Sequence, residues 1–344
     1  MNLQEILTNE MQSLIIAEIA QNHDGSLGMA HSYIDACADI GVHAIKFQTH
    51  IASEESSFDD KFRINFSYED DTRYEYWKRM EFTKEQWLEL KNHADQRNII
   101  FLSTPFSLAA IKLLNEIGIE GWKIGSGDTS KDGILTNVLQ TKLPLILSTG
   151  MSRWSEIDNL VSILKNKGTN FCLMQCTSKY PTSLEEVGIN ILSDYKRKYS
   201  CRVGLSDHSG SISPSLYAIA QGFNVIEIHA TFDRRMFGPD IKSSLNLNEI
   251  QDIVNFAKDI YTMKANPVDK DKIADGLNKQ KELFGRSLTY NQDFCKGHIL
   301  KREDISLRKP GTGIPMEEIS KFLGKKLNKN VKINRLMKKT EFEW

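Results

Sequence analysis

Eight short apolar runs recur along this chain, and almost every one ends in polar or ionisable residues. In order they are LIIAEIAQNH, AIKFQTH, IIFLSTPF, GWKIGSGD, PLILSTGM, FCLMQCTSKY, VGLSDHS and VIEIHATF. Helix-like stretches lie between most of them. Nearly continuous apolar runs of this length, alternating with helices, read as parallel strands buried on both faces. Eight such units are what a (β/α)8 barrel needs, and in that fold the chemistry sits at the C-terminal strand ends. The pattern therefore names its own candidates: Glu18, Asn22, His23, Lys46, Gln48, Thr104, Lys123, Ser126, Asp128, Ser148, Ser178, Tyr180, Asp207, His208 and His229.

Local signals fit the gaps between these runs. Thr83 and Gln86 have capping-box spacing at the head of a helix, and Ser155 with Asp158 resembles a second box before LVSILKNK. Pro214 suits a first helical turn. Ile250, Ile253, Val254, Ala257 and Ile260 keep the 3.6-residue rhythm of a last barrel helix. The spacing breaks after the second strand. There, residues 49–82 form a long excursion rich in aromatics (Phe58, Phe62, Phe66, Tyr68, Tyr74, Tyr76, Trp77), which reads as an ordered substrate wall or lid. The expected organisation is a barrel over residues 1–262, a charged linker over 263–283 and a small second domain over 284–344, where strand–helix alternation stops.

A chain of 344 residues with 40% hydrophobic and 26% charged residues has ample material for a large core. Its 44 basic and 45 acidic side chains nearly cancel, so nothing recruits nucleic acid or an anionic membrane. The basic cluster from Lys325 to Lys339 reads as a solvated face. Five cysteines, an odd number without a Cys-x-x-Cys, read as reduced thiols of a cytoplasmic protein. No run approaches the ~20 apolar residues of a membrane-spanning helix.

Three groups of strand-end residues carry chemistry. His208 and His229 follow neighbouring strands, where two imidazoles suit a divalent metal with positions left open. Asp207 and Glu227 flank them as ligands or orienting partners. Lys46 and Lys123 interrupt apolar runs and, with Thr104, Ser126, Ser148 and Ser178, suit a cradle for a phosphate and a carboxylate. A Schiff-base lysine is the other reading of the same pair. Asp128 lies beside the lysines as an ionised carboxylate that serves the chemistry, or as a salt-bridge partner of Lys123.

The ordered set AEIAQNHDG, IKFQTH, FLSTPF, WKIGSGD, LSTGM, CTSKYP, LSDHS, IEIHATFD and GPDIKSS resembles the sialic/legionaminic/pseudaminic acid synthase family over about residues 14–330. The segment FGRSL…KGHILKREDISLRKPGTGIP resembles that family's antifreeze-like (SAF) domain. The resemblance implies a (β/α)8 barrel with a C-terminal SAF domain, acting as a domain-swapped homodimer. It implies condensation of phosphoenolpyruvate with an open-chain 2-acetamido sugar, giving a nine-carbon 2-keto-3-deoxy acid and phosphate. The cofactor implied is a divalent metal, Mn2+ or else Mg2+ or Co2+, held by His208 and His229. Phosphoenolpyruvate is then held by Lys46, Thr104, Lys123, Ser126, Ser148, Ser178 and Ser206, and the sugar by Glu18, Tyr180, Asp240 and Arg308 or Lys309. Glu18, Lys123 and Asp128 take the catalytic roles. The chain departs from the family pattern at Asp128, where Glu is usual, and at Ile241, where His is usual. Two alternatives remain: another phosphoenolpyruvate–aldose synthase, and a non-catalytic sugar-binding homologue.

Overall fold

A computed structural model describes residues 2–11, 13–64, 66–129 and 133–344. Within it the chain divides into two compact units, residues 1–265 and 266–344. In the first, the eight apolar runs are strands: β1 (Leu14–Ala20), β2 (Ala44–Thr49), β3 (Ile100–Pro105), β4 (Trp122–Ile124), β5 (Leu145–Ser148), β6 (Phe171–Cys176), β7 (Arg202–Asp207) and β8 (Val225–Thr231). They pair in parallel in the order β3-β2-β1-β8-β7-β6-β5-β4, and β3 packs beside β4 to complete the ring.

The helices follow in chain order: α1 (Leu3–Thr8), α2 (Leu27–Asp39), α3 (Ala52–Glu55), α4 (Arg73–Met80), α5 (Lys84–Gln96), α6 (Leu108–Ile117), α7 (Ile134–Gln140), α8 (Trp154–Asn166), α9 (Asn190–Tyr199), α10 (Ser213–Ala220) and α11 (Leu247–Ala265). Thr83 caps α5 with Gln86 in a reciprocal box, and Pro214 lies in the first turn of α10, both as the sequence indicates. The expected box at Ser155 does not form. Helix α8 starts at Trp154, and Glu156 accepts from the Arg153 backbone N–H at 2.6 Å. Asp158 instead pairs with Lys198 and Tyr199 of α9.

Side-chain alternation along the strands divides the core. Ile15, Ala17, Ile45, Leu147, Leu173, Leu205 and Ile226 point outward and pack with the helices. Leu14, Ile16, Ala44, Ile100, Leu102, Ile146, Cys172, Met174 and Val225 form a separate inner cluster, together with Leu3, Ile6 and Leu7 of α1. Helix α1 thereby plugs the N-terminal end of the barrel. Gly204 belongs to this interior: a Cβ there would fall 2.3 Å from the Val225 carbonyl oxygen and 2.6 Å from Met174 Sδ. The same strands carry polar residues one or two inward positions further on, so the barrel floor is apolar and its mouth is polar.

A short strand β9 (Leu245–Asn246) adds to β8 before α11. Helix α11 runs to Ala265, and α12 (Lys270–Gly276) and α13 (Asn278–Phe284) occupy most of the charged stretch read as a linker. The second unit has its own core around Leu288, Tyr290, Phe294, Phe322, Leu327 and Phe342. Its strands β10 (Ser287–Tyr290) and β11 (Ile305–Arg308) pair antiparallel. Among the described residues, no helix is long and apolar enough to cross a membrane.

Candidate active site

A cavity of about 580 Å³ opens at the C-terminal strand ends and receives nearly all the inward polar side chains. At its floor, four buried charges from four strands of the ring alternate in sign. Lys46 Nζ of β2 lies 2.5 Å from Glu18 Oε2 of β1 and 3.7 Å from Glu227 Oε1 of β8. The same Glu227 oxygen lies 3.6 Å from Lys123 Nζ of β4. Burial alone depresses the Lys46 ammonium, but the two carboxylates outweigh it and hold its pKa above the ordinary value. Burial prevails at Lys123, whose pKa is lowered although Glu227 opposes the shift. Burial raises Glu18 to about 7 against the pull of Lys46. Glu227 is equally buried, yet Lys123 and Lys46 together keep it ionised, below the usual carboxylate value.

Hydroxyls surround these charges. Lys123 Nζ donates to Ser148 Oγ at 2.7 Å, and Lys46 Nζ to Thr104 Oγ1 at 3.1 Å. Ser206 Oγ donates to Glu227 at 3.4 Å. Ser126 Oγ accepts the Gly150 N–H at 3.0 Å. A Cβ at Gly150 would fall 2.7 Å from Ser178 Oγ, so only glycine lets the β5 loop approach so closely. Asp128 lines the cavity, with its backbone N–H bonded to the Gly125 carbonyl at 3.2 Å.

The two histidines meet at the opposite wall, with ring centres 5.2 Å apart. His208 Nδ1 donates to the Thr177 carbonyl at 2.9 Å, which leaves Nε2 for another partner. Burial, reinforced by the positive charge of His208, drives His229 well below its ordinary pKa, so it is neutral near pH 7. Its Nδ1 is buried without a hydrogen bond, 4.0 Å from Asp240 Oδ2. At His208 burial is outweighed by the Cys176 thiol and the Thr177 carbonyl, and the pKa is raised, so a divalent ion would take the place of the proton on Nε2. With that exchange the two imidazoles offer nitrogens that fit such an ion. Among the described residues no third His, Cys, Asp or Glu completes a cluster with them, so the remaining ligands of such an ion would be substrate and water.

Tyr180 stacks on His208 at 4.1 Å, and Arg63 of the long excursion lies 4.2 Å over the Tyr180 ring. Arg63 also donates to Asp240 at 2.7 Å. The excursion therefore is a wall of the cavity, as expected, with Phe62, Phe66 and Tyr76 packed edge to face or tilted. Three residues of the strand-end list turn away. Asn22 donates to the Ala230 carbonyl, His23 accepts the Gly25 N–H and packs on Phe82, and Asp207 holds Ser209. Each lies where the chain leaves the strand; the His23 and Asp207 side chains tie down the local turn, and Asn22 ties the end of β1 to β8. Arg308 and Lys309 belong to the second unit, where both are exposed and the Lys309 ammonium lies 5.2 Å from the Phe284 ring centre.

Gln21, His50, Arg63 and Cys176 line the cavity although none of them was among the candidate site residues read from the sequence. Cys176 was legible by alternation, two places beyond Met174 on the inward face of β6. Glu227 was seen only as a neighbour of the histidines.

The fold and site define a barrel enzyme with a charged, hydroxyl-rich cavity suited to an anionic substrate. The chain belongs to the NeuB family, whose model matches residues 33–269. It is 33% identical to the N,N'-diacetyllegionaminic acid synthase of Campylobacter jejuni, over 95% of this chain and 99% of that protein. It is 28% identical to the human N-acetylneuraminate-9-phosphate synthase, over 91% of this chain and 88% of that one. The crystal structure of the N-acetylneuraminic acid synthetase of Leptospira borgpetersenii, in complex with citrate, superposes with a TM-score of 0.68 at 32% identity, covering 79% of this chain and 93% of that one. The protein is thus an enzyme of the nonulosonic acid synthase type.

Proposed function

We propose that the protein condenses phosphoenolpyruvate with the open-chain aldehyde of a 2-acetamido sugar, N-acetylmannosamine or a 2,4-diacetamido hexose, giving a nine-carbon 2-keto-3-deoxy acid and phosphate. The observation that carries this reading is the pair of buried lysines bridged by Glu227 under a ring of hydroxyls. The two ammonium groups face a multiply charged anion in a site where water no longer screens them.

In this reading Lys46, Lys123, Thr104, Ser126, Ser148, Ser178 and Ser206 hold the phosphate and carboxylate. Glu18, Tyr180 and Asp240 receive the sugar. C3 of phosphoenolpyruvate forms the new bond to the aldehyde carbon, whose oxygen takes up a proton. Water then adds at C2, and the C2–O bond to phosphate breaks to leave the 2-keto acid. Asp128 accepts the proton lost by that water or steadies the positive charge that develops at C2. Glu18, raised to about 7, is able to exchange a proton at the sugar end. His208 and His229 would hold a divalent ion, Mn2+ or else Mg2+ or Co2+, which when bound supplies polarisation of the aldehyde oxygen and a site for water.

The five cysteines are all free, in keeping with a cytoplasmic enzyme. We place Arg308 or Lys309, exposed beside a Pro-Gly turn, at the sugar of a partner subunit in a domain-swapped homodimer. The deciding test is incubation with phosphoenolpyruvate, Mn2+ and a panel of 2-acetamido and 2,4-diacetamido sugars. Sugar-dependent phosphate release with formation of a 2-keto acid supports the reading. Its absence with every sugar favours the non-catalytic alternative.

A further inference from the structure

One buried cluster inside the cavity wall has no part in the scheme above. His50 follows β2 and is buried between two rings: Trp77 at 3.8 Å and 16°, and Phe106 at 4.5 Å and 8°. Stacking on two near-parallel faces fixes the imidazole plane. Glu55 Oε1, at the end of α3, lies 2.6 Å from His50 Nδ1. A carboxylate at that distance requires Nδ1 to carry hydrogen, and the Gln21 amide N–H against Nε2 calls for a lone pair there. Gln21 Nε2 lies 2.9 Å from that lone pair and 2.5 Å from Gln48 Oε1, so its two N–H groups serve both acceptors. Gln48 Nε2 is then left to donate to Glu18 Oε1 at 2.8 Å.

The direction of this chain is set at one end. If Nε2 carried the hydrogen, Gln48 Oε1 at 3.1 Å could accept it, but the hydrogen would also face the Gln21 amide N–H, whose nitrogen is closer at 2.9 Å. Relief would come from turning the Gln21 and Gln48 amides over, which would aim Gln48 Oε1 at the Glu18 carboxylate. Two oxygen acceptors in a buried site repel, and Glu18 would leave its position beside Lys46.

We propose that His50, oriented by Glu55, is a positioning residue: it fixes the Gln21 and Gln48 amides so that Glu18 is held by an N–H on one oxygen and by Lys46 on the other. Through Trp77 on α4, the long excursion contributes to the same placement. The inference rests on the role given to Glu18 under the proposed function. Its observables include one that does not depend on turnover.

The experiment uses the full chain and the variants His50→Phe, Glu55→Gln and Glu55→Ala. Phenylalanine keeps both ring stacks and removes only the polar link. Glutamine still accepts from Nδ1–H, whereas alanine does not. In 15N-histidine NMR near neutral pH, the signal lost in His50→Phe should show hydrogen on Nδ1 and a bare Nε2. That pattern should persist in Glu55→Gln and be lost in Glu55→Ala. With near-UV circular dichroism unchanged, His50→Phe should lower kcat/KM for the sugar roughly 10- to 100-fold and leave KM for phosphoenolpyruvate within about twofold. Glu55→Gln should retain most of the activity that Glu55→Ala loses. Hydrogen on Nε2 in the wild type, or His50→Phe kinetics equal to wild type, would overturn the proposal. A wild type that consumes no phosphoenolpyruvate with any sugar defeats the proposed function, and the NMR result still decides this one.

Discussion

Glu227 Oε1 stands 3.6 Å from Lys123 Nζ, a carboxylate of β8 reaching an ammonium of β4 across the barrel interior. The two strands are not neighbours in the sheet. With Lys46 on its other side, Glu227 is the anion that makes two buried lysines tolerable in one site.

Replacing Glu227 by Gln should therefore destabilise the folded protein strongly. Removing one member of a buried charge cluster costs roughly 3–5 kcal/mol, because the cations remain desolvated without their partner. Urea denaturation at pH 7 measures it directly, and a loss below about 1 kcal/mol would contradict a bridging role.

Metal dependence has two readouts. Equilibrium dialysis should show the wild type binding Mn2+ and the His208→Ala/His229→Ala double variant failing to do so, because the imidazoles supply the protein's nitrogen donors. Chelator should abolish turnover and added Mn2+ or Co2+ restore it. Undiminished activity in excess chelator would remove the metal from the scheme.

Asp128 is expected to act in the chemical step. Asp128→Asn preserves size and should cut kcat by roughly 10²–10⁴-fold, the usual scale for a general acid–base group. KM for phosphoenolpyruvate should change far less. A variant impaired in affinity alone would make Asp128 a binding group.

Acid stability should report His43. Its Nδ1 accepts the Ile15 backbone N–H at 3.1 Å, and burial lowers its pKa from 6.5 to about 4. The unfolded chain binds a proton here below about pH 6.5, whereas the folded protein does so only near pH 4. Stability is therefore complete above that window and falls as pH drops through it, by up to about 3 kcal/mol. His43→Gln retains an acceptor for Ile15 but cannot titrate, so its stability should decline less between pH 6.5 and 4. Parallel curves for the two proteins would show that His43 does not contribute. His23 and His229 are also lowered, and they remain in both proteins, so the difference isolates His43.

The barrel was legible because its signal is local and repeated. Each strand needs a short apolar run, and each helix needs its own rhythm and caps, all written within about a dozen residues. Where a local signal admitted two readings, the sequence reading slipped. Ser155 and Asp158 had box spacing, but Arg153 takes the cap position with Glu156 bonded back to it, and the helix starts two residues earlier. Asn22, His23 and Asp207 had the right types at the right strand ends, and their side chains were taken by nearby backbone or side-chain groups instead.

By itself, then, the sequence determined eight strands, the inward parity of Glu18, Lys46, Lys123, Ser148 and His229, and the polar character of one barrel end. Periodicity along a strand fixes which face a residue takes, without reference to any other strand. Which charges meet across the interior depends on barrel closure. That closure brings Glu227 between Lys46 and Lys123, residues 181 and 104 positions away from it along the chain (227 − 46 and 227 − 123). It also seats His50 between Trp77 of the excursion and Phe106 beyond β3. Such contacts are set by sheet order and stagger, and the pKa of each buried group follows from neighbours that only the closed ring supplies.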